Sequence, residues 1–178
     1  GFLSGSNPKD LLARYSKPKA MSIPRAPIMP IIDGDPHDEM WQAATVIDEF
    51  FLLAGTGISK AKTKVKVFYD DKNLYFGFIC DEPVRRRPLI KHGSIWHDDE
   101  IEIYIDANSD QRTFSQVLVN GIGKSVTFRN TLRADLGVTA ASHIEEGRRW
   151  MLKVVVPYAG MGVKPPKRGD TWRINVVR

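Results

Sequence analysis

Alternation of apolar and polar residues runs along much of this chain and predicts short β-strands. Residues 64–69 read Lys-Val-Lys-Val-Phe-Tyr, the period-two pattern of a half-buried strand. Residues 70–73 have the composition of a hairpin turn, and the apolar and aromatic run at 74–79 predicts the antiparallel partner. From 101 to 106, isoleucines alternate with polar residues, which predicts a third strand with one apolar and one polar face.

The same pattern continues to the end of the sequence. Glycine-containing turns at 121–123 and 146–147 separate several of these segments. The strands do not alternate with helices, which argues against a parallel α/β sheet. We therefore predict an all-β fold, an antiparallel β-sandwich of the immunoglobulin-like or jelly-roll type. Its further strands are predicted at 115–120, 125–128, 139–144, 150–156 and 172–177.

The first thirty residues differ from the rest in composition. Residues 1–30 contain many prolines, lysines and small residues, and the prolines block regular structure and predict an extended leader that leans on the domain. A short helix is predicted at 10–15 within it. The domain itself is predicted at 31–178. It opens on turn chemistry at 33–36, after which Trp41 is expected to anchor the core one short helical turn into the fold.

Composition and charge exclude several classes of protein. The 178 residues, 42% of them hydrophobic, suit one ordinary domain with a filled core. The net charge of +5 is spread along the chain, and the one tight basic run, at 85–87, is interpreted as a solvated loop, so we expect no nucleic-acid partner. No apolar stretch is long enough to predict a membrane span. The single cysteine, Cys80, lies in an apolar run and is expected to be buried.

The densest group of polar residues follows Trp96. This indole stands directly before a strand that carries carboxylates, and a pyranose can stack its C–H face on such a ring while its hydroxyls bond to charged acceptors. Glu100 and Glu102 are expected to share one strand face, with Asp99 on the other. The alternative is a packed tryptophan beside solvated acids. A glycosidase pair is less favoured, because its carboxyl groups must face each other across the scissile bond.

Oxygen-bearing side chains also recur at alternate positions in one loop. Asp106, Asn108 and Asp110 have a spacing that can wrap a hard cation such as calcium. An EF-hand is excluded, because Gln111 and Val117 occupy the positions of its glycine and its glutamate. A turn held by Asx hydrogen bonds is the alternative to calcium.

Several segments, in order along the chain, resemble the family 9 carbohydrate-binding modules. The match covers about residue 31 to 178, and each piece is weak by itself while the ordered series is specific. The segments are IDGDPHDEMW at 32–41, VKVFYDDKNLYFGF at 65–78, WHDDEIEIYID at 96–106, VN at 119–120, WMLKVVVP at 150–157 and GDTWRIN at 169–175.

The resemblance implies a fold and a function. It implies a β-sandwich that binds glucan or xylan chains, often at reducing ends, as a non-catalytic accessory to secreted glycoside hydrolases, and hence an extracellular or periplasmic location. In this family the residue at Trp96 stacks on the sugar, while those at Glu102 and Asn120 bond to its hydroxyls. Structural calcium also occurs in the family, which adds interest to Asp106 and its neighbours.

Two departures from the family pattern bear on the ligand. The best-known members hold the sugar between two tryptophans, and the second lies past the strand that ends here at Arg178, so either that last strand is missing or the site is one-sided. Leu118 stands where a polar, arginine-like contact is expected. The alternatives are therefore a part of a glycoside hydrolase, a haem-binding sandwich with Met151 and Met161 as candidate ligands, or an interaction module that lost the sugar site.

Overall fold

Two antiparallel five-stranded sheets form the protein, in a computed structural model that describes residues 18–50, 61–82, 84–91 and 93–178. The first sheet has the order β1-β2-β3-β9-β8 and the second has the order β10-β4-β5-β6-β7. The strands are β1 (Thr45–Ile47), β2 (Thr63–Tyr69), β3 (Asn73–Asp81), β4 (Glu100–Asp106), β5 (Ser115–Asn120), β6 (Ser125–Arg129), β7 (Leu132–Arg133), β8 (Thr139–Glu145), β9 (Arg149–Pro157) and β10 (Arg173–Val177). The helical pieces are short: 3₁₀ turns at Glu39–Ala43 and Ile95–His97, and the α-helix α1 at Tyr158–Met161.

The core lies between the two sheets and is filled by every second residue of the strands. Because side chains alternate across a strand, alternate residues of a strand point toward the opposite sheet, and the apolar residues of the two sheets meet there. The second sheet contributes, for example, Ile101, Ile103 and Ile105, each almost fully buried. The predicted antiparallel sandwich is confirmed, and so is the burial of Cys80. Burial also raises the pKa of the Cys80 thiol to about 12.

A second, smaller apolar cluster lies on the outer face of the first sheet, beneath the segment 31–44. Trp41 is 0% exposed and packs on Phe68, with ring centroids 4.4 Å apart. Gly77 lies directly under the indole, and a Cβ atom there would stand 2.7 Å from the ring. The expectation that Trp41 anchors the core is confirmed, although the core it anchors is this outer cluster.

A buried lysine fastens the same segment to the sheet. Lys153 on β9 is 0% exposed, and its Nζ lies 2.7 Å from Asp33 Oδ1, 2.6 Å from Asp38 Oδ2 and 3.0 Å from the carbonyl oxygen of Ile31. All three ammonium protons therefore have acceptors, as a buried charge requires. We call Lys153 with Asp33 and Asp38 the lysine clamp. It gives the motif at 32–41 a structural role.

The described part of the leader is extended, as predicted. It runs beside the end of β2, where Ala26 N donates to Tyr69 O at 2.7 Å and Tyr69 N donates to Pro24 O at 3.2 Å. The predicted helix at 10–15 lies outside the described residues. The domain boundary at residue 31 stays a prediction.

The eight predicted strands agree with observed strands to within about two residues at each end. The pattern missed β1 and β7, which have three and two residues and are too short to show a period. Within the described ranges, the structure has no helix of the length and hydropathy that a membrane crossing requires.

Candidate functional site

The outer face of the second sheet brings together three of the polar residues singled out above, Glu100, Glu102 and Asn120. Strand register sets Glu100 opposite Asn120, Glu102 opposite Leu118, and Tyr104 opposite Gln116. Because directly paired residues share a face, these six side chains point away from the core, as do Val126 and Phe128 on β6 and Asn175 on β10. We call this surface the outer face of the second sheet.

Trp96 borders this face and is open to solvent. The 3₁₀ turn at Ile95–His97 presents it, with Ile95 buried as the turn's anchor and Trp96 left 50% exposed. The indole packs against Phe128, with ring centroids 5.6 Å apart and planes tilted by 49°. One side of the indole is fixed by its contact with Phe128. Its exposed apolar surface lies beside the polar groups of the outer face. Stacking on the C–H face of a sugar uses that combination.

Glu102 lies within a hydrogen-bonded group on the same face. Its Oε2 accepts from the Tyr104 hydroxyl at 2.7 Å and from Gln116 Nε2 at 2.6 Å, and Gln116 also donates to the Tyr104 oxygen at 2.9 Å. These bonds hold the carboxylate in place. Its second oxygen, Oε1, has no hydrogen-bond partner among the described residues, so it can accept a bond from a hydroxyl group.

Asn120 faces the outer side but is 1% exposed and already engaged. Its Oδ1 accepts from Lys124 N at 2.9 Å and Ile122 N at 3.3 Å, which closes the β5–β6 turn. Its Nδ2 donates to Asp98 Oδ2 at 2.8 Å. In this arrangement Asn120 positions Asp98, and its direct contact with a sugar stays a prediction.

Asp99 points into the preceding loop. Its Oδ2 accepts from Leu89 N at 2.6 Å and lies 3.6 Å from Arg85 Nη1. These contacts pin the loop that carries Trp96 to the start of β4. A role for Asp99 in ligand binding stays a prediction, since the side chain is directed toward the loop.

Glu100 is the most perturbed acid of the outer face. Its Oε2 is buried with no hydrogen-bond partner. Burial, reinforced by repulsion from Glu102 and Asp98, raises the pKa of Glu100 from its ordinary value of 4.5 to about 8. The carboxyl group is therefore mostly neutral at pH 7.

This raised pKa predicts a pH dependence of stability. Between pH 4.5 and about 8 the folded state keeps a proton on Glu100 that the unfolded state releases, so the free energy of unfolding falls as the pH rises through that window. Replacing Glu100 with glutamine removes this slope. Urea unfolding of both proteins at about pH 5 and about pH 8.5 measures it, and the variant is expected to gain stability relative to wild type at the higher pH. Parallel pH profiles for the two proteins would contradict the assignment.

The candidate calcium residues form a closed turn. Asp106 accepts from Gln111 N at 2.8 Å and Asp110 N at 3.3 Å, while Asp110 accepts from the backbone of Arg112 and Thr113. These bonds lower the pKa of Asp110 to about 2. Asn108 bonds to Asp110 as well.

The closed turn does not fit a calcium ion as it stands. A cation here would have to replace the donors that the carboxylate oxygens now face. Within the described residues, no three His, Cys, Asp or Glu side chains gather around one point. Calcium at Asp106, Asn108 and Asp110 stays a prediction that thermal unfolding with and without a chelator would test.

The geometry supports neither a glycosidase pair nor a haem site. Glu100 and Glu102 project from one strand in the same direction and do not face each other as a hydrolytic pair does. Met151 lies opposite the exposed His143 on adjacent strands, so the two side chains share one side of the sheet and cannot ligate a haem iron from opposite sides. Met161 lies in the core between the sheets.

Tyr104, Gln116 and Phe128 contact Glu102 or Trp96 at the candidate site, and sequence reasoning assigned them no role there. The polar side of the predicted third strand contained Tyr104, which was a usable signal. Gln116 and Phe128 needed the register of β4, β5 and β6, which the residue pattern does not supply.

Comparison with known proteins agrees with the resemblance seen in the sequence. The family described as "Carbohydrate family 9 binding domain-like" matches residues 32–145. An endo-1,4-beta-xylanase A of Thermotoga neapolitana is 32% identical over 80 residues, which make up 45% of this chain and 7% of the xylanase. An endo-1,4-beta-xylanase C of Paenibacillus barcinonensis is 27% identical over 143 residues, 78% of this chain and 12% of the xylanase. The chain thus spans only a small part of these relatives.

Solved structures share the fold. A family 9 carbohydrate-binding module from Caldicellulosiruptor kristjanssonii in complex with cellotriose aligns with a TM-score of 0.67 at 18% identity, covering 86% of this chain and 74% of that one. A glucose complex of a family 9 module from the same organism aligns with a TM-score of 0.65. At this level of identity the similarity establishes the sandwich architecture.

Proposed function

The chain belongs to the carbohydrate family 9 binding domain-like family, and from this premise we propose that it is a non-catalytic module that binds β-linked glucan or xylan. The ligand lies on the outer face of the second sheet, with Trp96 as its stacking platform. The observation that carries this proposal is the half-exposed indole, packed on Phe128 of the same sheet face that carries the fixed carboxylate of Glu102.

The polar contacts of the ligand come from neighbours of the platform. Glu102 accepts a bond from a sugar hydroxyl through its Oε1, while Tyr104 and Gln116 keep the carboxylate from turning away. Charge-assisted bonds of this kind are about twice as strong as neutral ones. Leu118, fully buried in the same face, contributes an apolar floor in place of a polar side chain.

A single platform predicts weak binding. One aromatic stack adds about 0.5–1.5 kcal/mol beyond the area it buries. We expect dissociation constants in the millimolar to high micromolar range, about −4 to −6 kcal/mol of binding free energy. Such an affinity is useful to an enzyme that keeps the module tethered, because tethering raises the effective concentration of the polysaccharide.

The test is calorimetry against xylo- and cello-oligosaccharides with wild type and Trp96→Ala. We expect the substitution to weaken binding about tenfold or more, equivalent to about 1.4 kcal/mol, because the stacking surface is lost. Leu132→Ala is the matched control, since Leu132 is a 75% exposed apolar residue of the same sheet outside the proposed site. It is expected to bind as wild type does. Equal heats for wild type and Trp96→Ala would remove the platform from the site.

The parent protein is proposed from the relatives. Two endo-1,4-beta-xylanases contain a segment similar to this chain, in one case over 78% of it. We infer that the module accompanies a glycoside hydrolase outside the cytoplasm, where insoluble polysaccharide is found. Its contribution is to keep the catalytic domain near the substrate.

A further inference from the structure

A cavity of about 530 Å³ lies at the end of the second sheet, where β4 and β6 end and β5 and β10 begin. Its floor is apolar and includes the buried residues Ile105 and Met161. Its walls include two half-buried aromatic rings, Trp172 and Phe114. The volume and the apolar lining are typical of a small-ligand site.

Packing against neighbouring rings holds both aromatic walls. Trp172 meets Tyr158 edge to face, with ring centroids 5.7 Å apart and planes at 83°. Phe114 packs on Tyr104 at 5.8 Å. Tyr104 is also the residue that orients Glu102, so the cavity and the outer face of the second sheet share a wall.

The rim of the cavity is basic. Arg129, Lys164 and Lys167 line it against a single carboxylate, Asp170, whose Oδ2 accepts from the backbone of Lys167. Among the described residues, none of these three cations forms an ion pair. Arg129 is held by one bond, from its Nη2 to the carbonyl oxygen of Gly160 at 2.9 Å. Its remaining N–H groups suit a planar carboxylate, which arginine binds in bidentate fashion.

The cavity and the proposed sugar platform are linked through Phe114, which lines the cavity and packs on Tyr104 of the outer face. Phe128, which packs against Trp96, and Arg129, which lines the cavity, are consecutive residues of β6, so their side chains point to opposite sides of the sheet. The two surfaces differ in charge. Glu102 and Asp98 make the platform side acidic, whereas the cavity carries three cations.

We propose that this cavity is a second subsite that takes a carboxylate-bearing sugar, a uronic acid attached to the polysaccharide chain. The pyranose stacks between Trp172 and Phe114, and its carboxylate lies against Arg129 and the two lysines. The proposal deepens the proposed function, on which it rests, by making an acidic, substituted polysaccharide the preferred ligand.

The first experiment compares two xylo-oligosaccharides of equal length, one neutral and one carrying a glucuronic acid branch. We expect the acidic ligand to bind wild type about three- to tenfold more tightly. The gain is modest because the three cations are exposed to solvent, although all of them face one carboxylate. The advantage should be lost in about 0.5 M NaCl, because salt screens exposed charges. It should also be lost in the double variant Lys164→Gln/Lys167→Gln, which keeps its affinity for the neutral ligand.

The control separates the site from the overall charge. Lys62→Gln/Lys64→Gln removes the same charge at two exposed residues, one just before β2 and one on it, and is expected to keep the full preference. Equal affinities for both ligands in wild type, or equal losses in both double variants, would overturn the subsite.

A second measurement distinguishes the subsite from the platform. In NMR titrations, glucuronic acid alone should shift the indole N–H signal of Trp172 in wild type and in Trp96→Ala alike, while equal concentrations of glucose or acetate should not. Shifts confined to Trp96, or the same shifts with acetate, would contradict the subsite. If glucuronic acid shifts Trp172 while neutral oligosaccharides fail to bind at all, the subsite stands and the platform falls.

Discussion

Replacing Asp33 and Asp38 together by asparagine is expected to lower the free energy of unfolding by about 3–5 kcal/mol. Both carboxylates bond to the ammonium of Lys153, which has no exposed surface of its own. Without them a positive charge stays buried in an apolar cluster with only neutral acceptors. Breaking a buried pair from one side is costly, because the remaining charge loses its compensation while staying out of water. Urea unfolding of wild type and variant at neutral pH measures the difference.

A third substitution identifies the cause. Adding Lys153→Met to the variant should restore much of the stability, since a buried apolar side chain of similar length needs no counter-charge. A variant that unfolds like wild type, or one that Lys153→Met weakens further, would show that the lysine clamp does not stabilise the fold.

The second large effect is expected for Trp41→Ala, which should cost about 3–5 kcal/mol of unfolding free energy. The fully buried indole fills the space between the segment 31–44 and β3, where Gly77 permits its close approach. Alanine leaves a void bounded by Phe68 that the rigid sheet cannot close. Thermal or urea unfolding measures the loss.

The matched comparison is Trp96, the half-exposed tryptophan of the candidate site. Trp96→Ala removes a ring that is half exposed and is expected to change stability by less than about 1 kcal/mol while weakening sugar binding. Trp41→Phe keeps much of the buried volume and should fall between wild type and Trp41→Ala. The assignment of one tryptophan to folding and the other to binding fails if both alanine variants lose the same stability.

The strands could be predicted because burial leaves a pattern in the sequence. Burial on one side imposes the period-two pattern of β4, whereas β3 and β9 are buried on both faces and are almost continuously apolar. The 3₁₀ turn that presents Trp96 and the short strands β1 and β7 have no period to detect. Their positions depend on the loops and sheets around them.

The site was predictable only as far as residue type and resemblance reach. Glu102 lies on the outer face of the second sheet and Trp96 borders it, as their positions in the pattern imply. The surroundings of Asn120 and Asp99 depend on which backbone amides happen to lie within reach, and those amides belong to a turn and a loop whose geometry no pattern encodes. The role of the motif at 32–41 likewise depends on a distant residue, because Lys153 lies more than a hundred residues later in the sequence and contacts both of its aspartates.

The sealed thiol of Cys80 makes the module convenient to immobilise in a chosen orientation. Maleimides and gold react with an accessible thiolate, and a fully buried cysteine whose pKa is about 12 offers none while the protein stays folded. Since the chain has one cysteine, a second introduced at the exposed position Lys64, on the sheet remote from Trp96, would be the sole anchoring point. Beads coated in this way would present the Trp96 side of every module outward, where it can bind polysaccharide fibres.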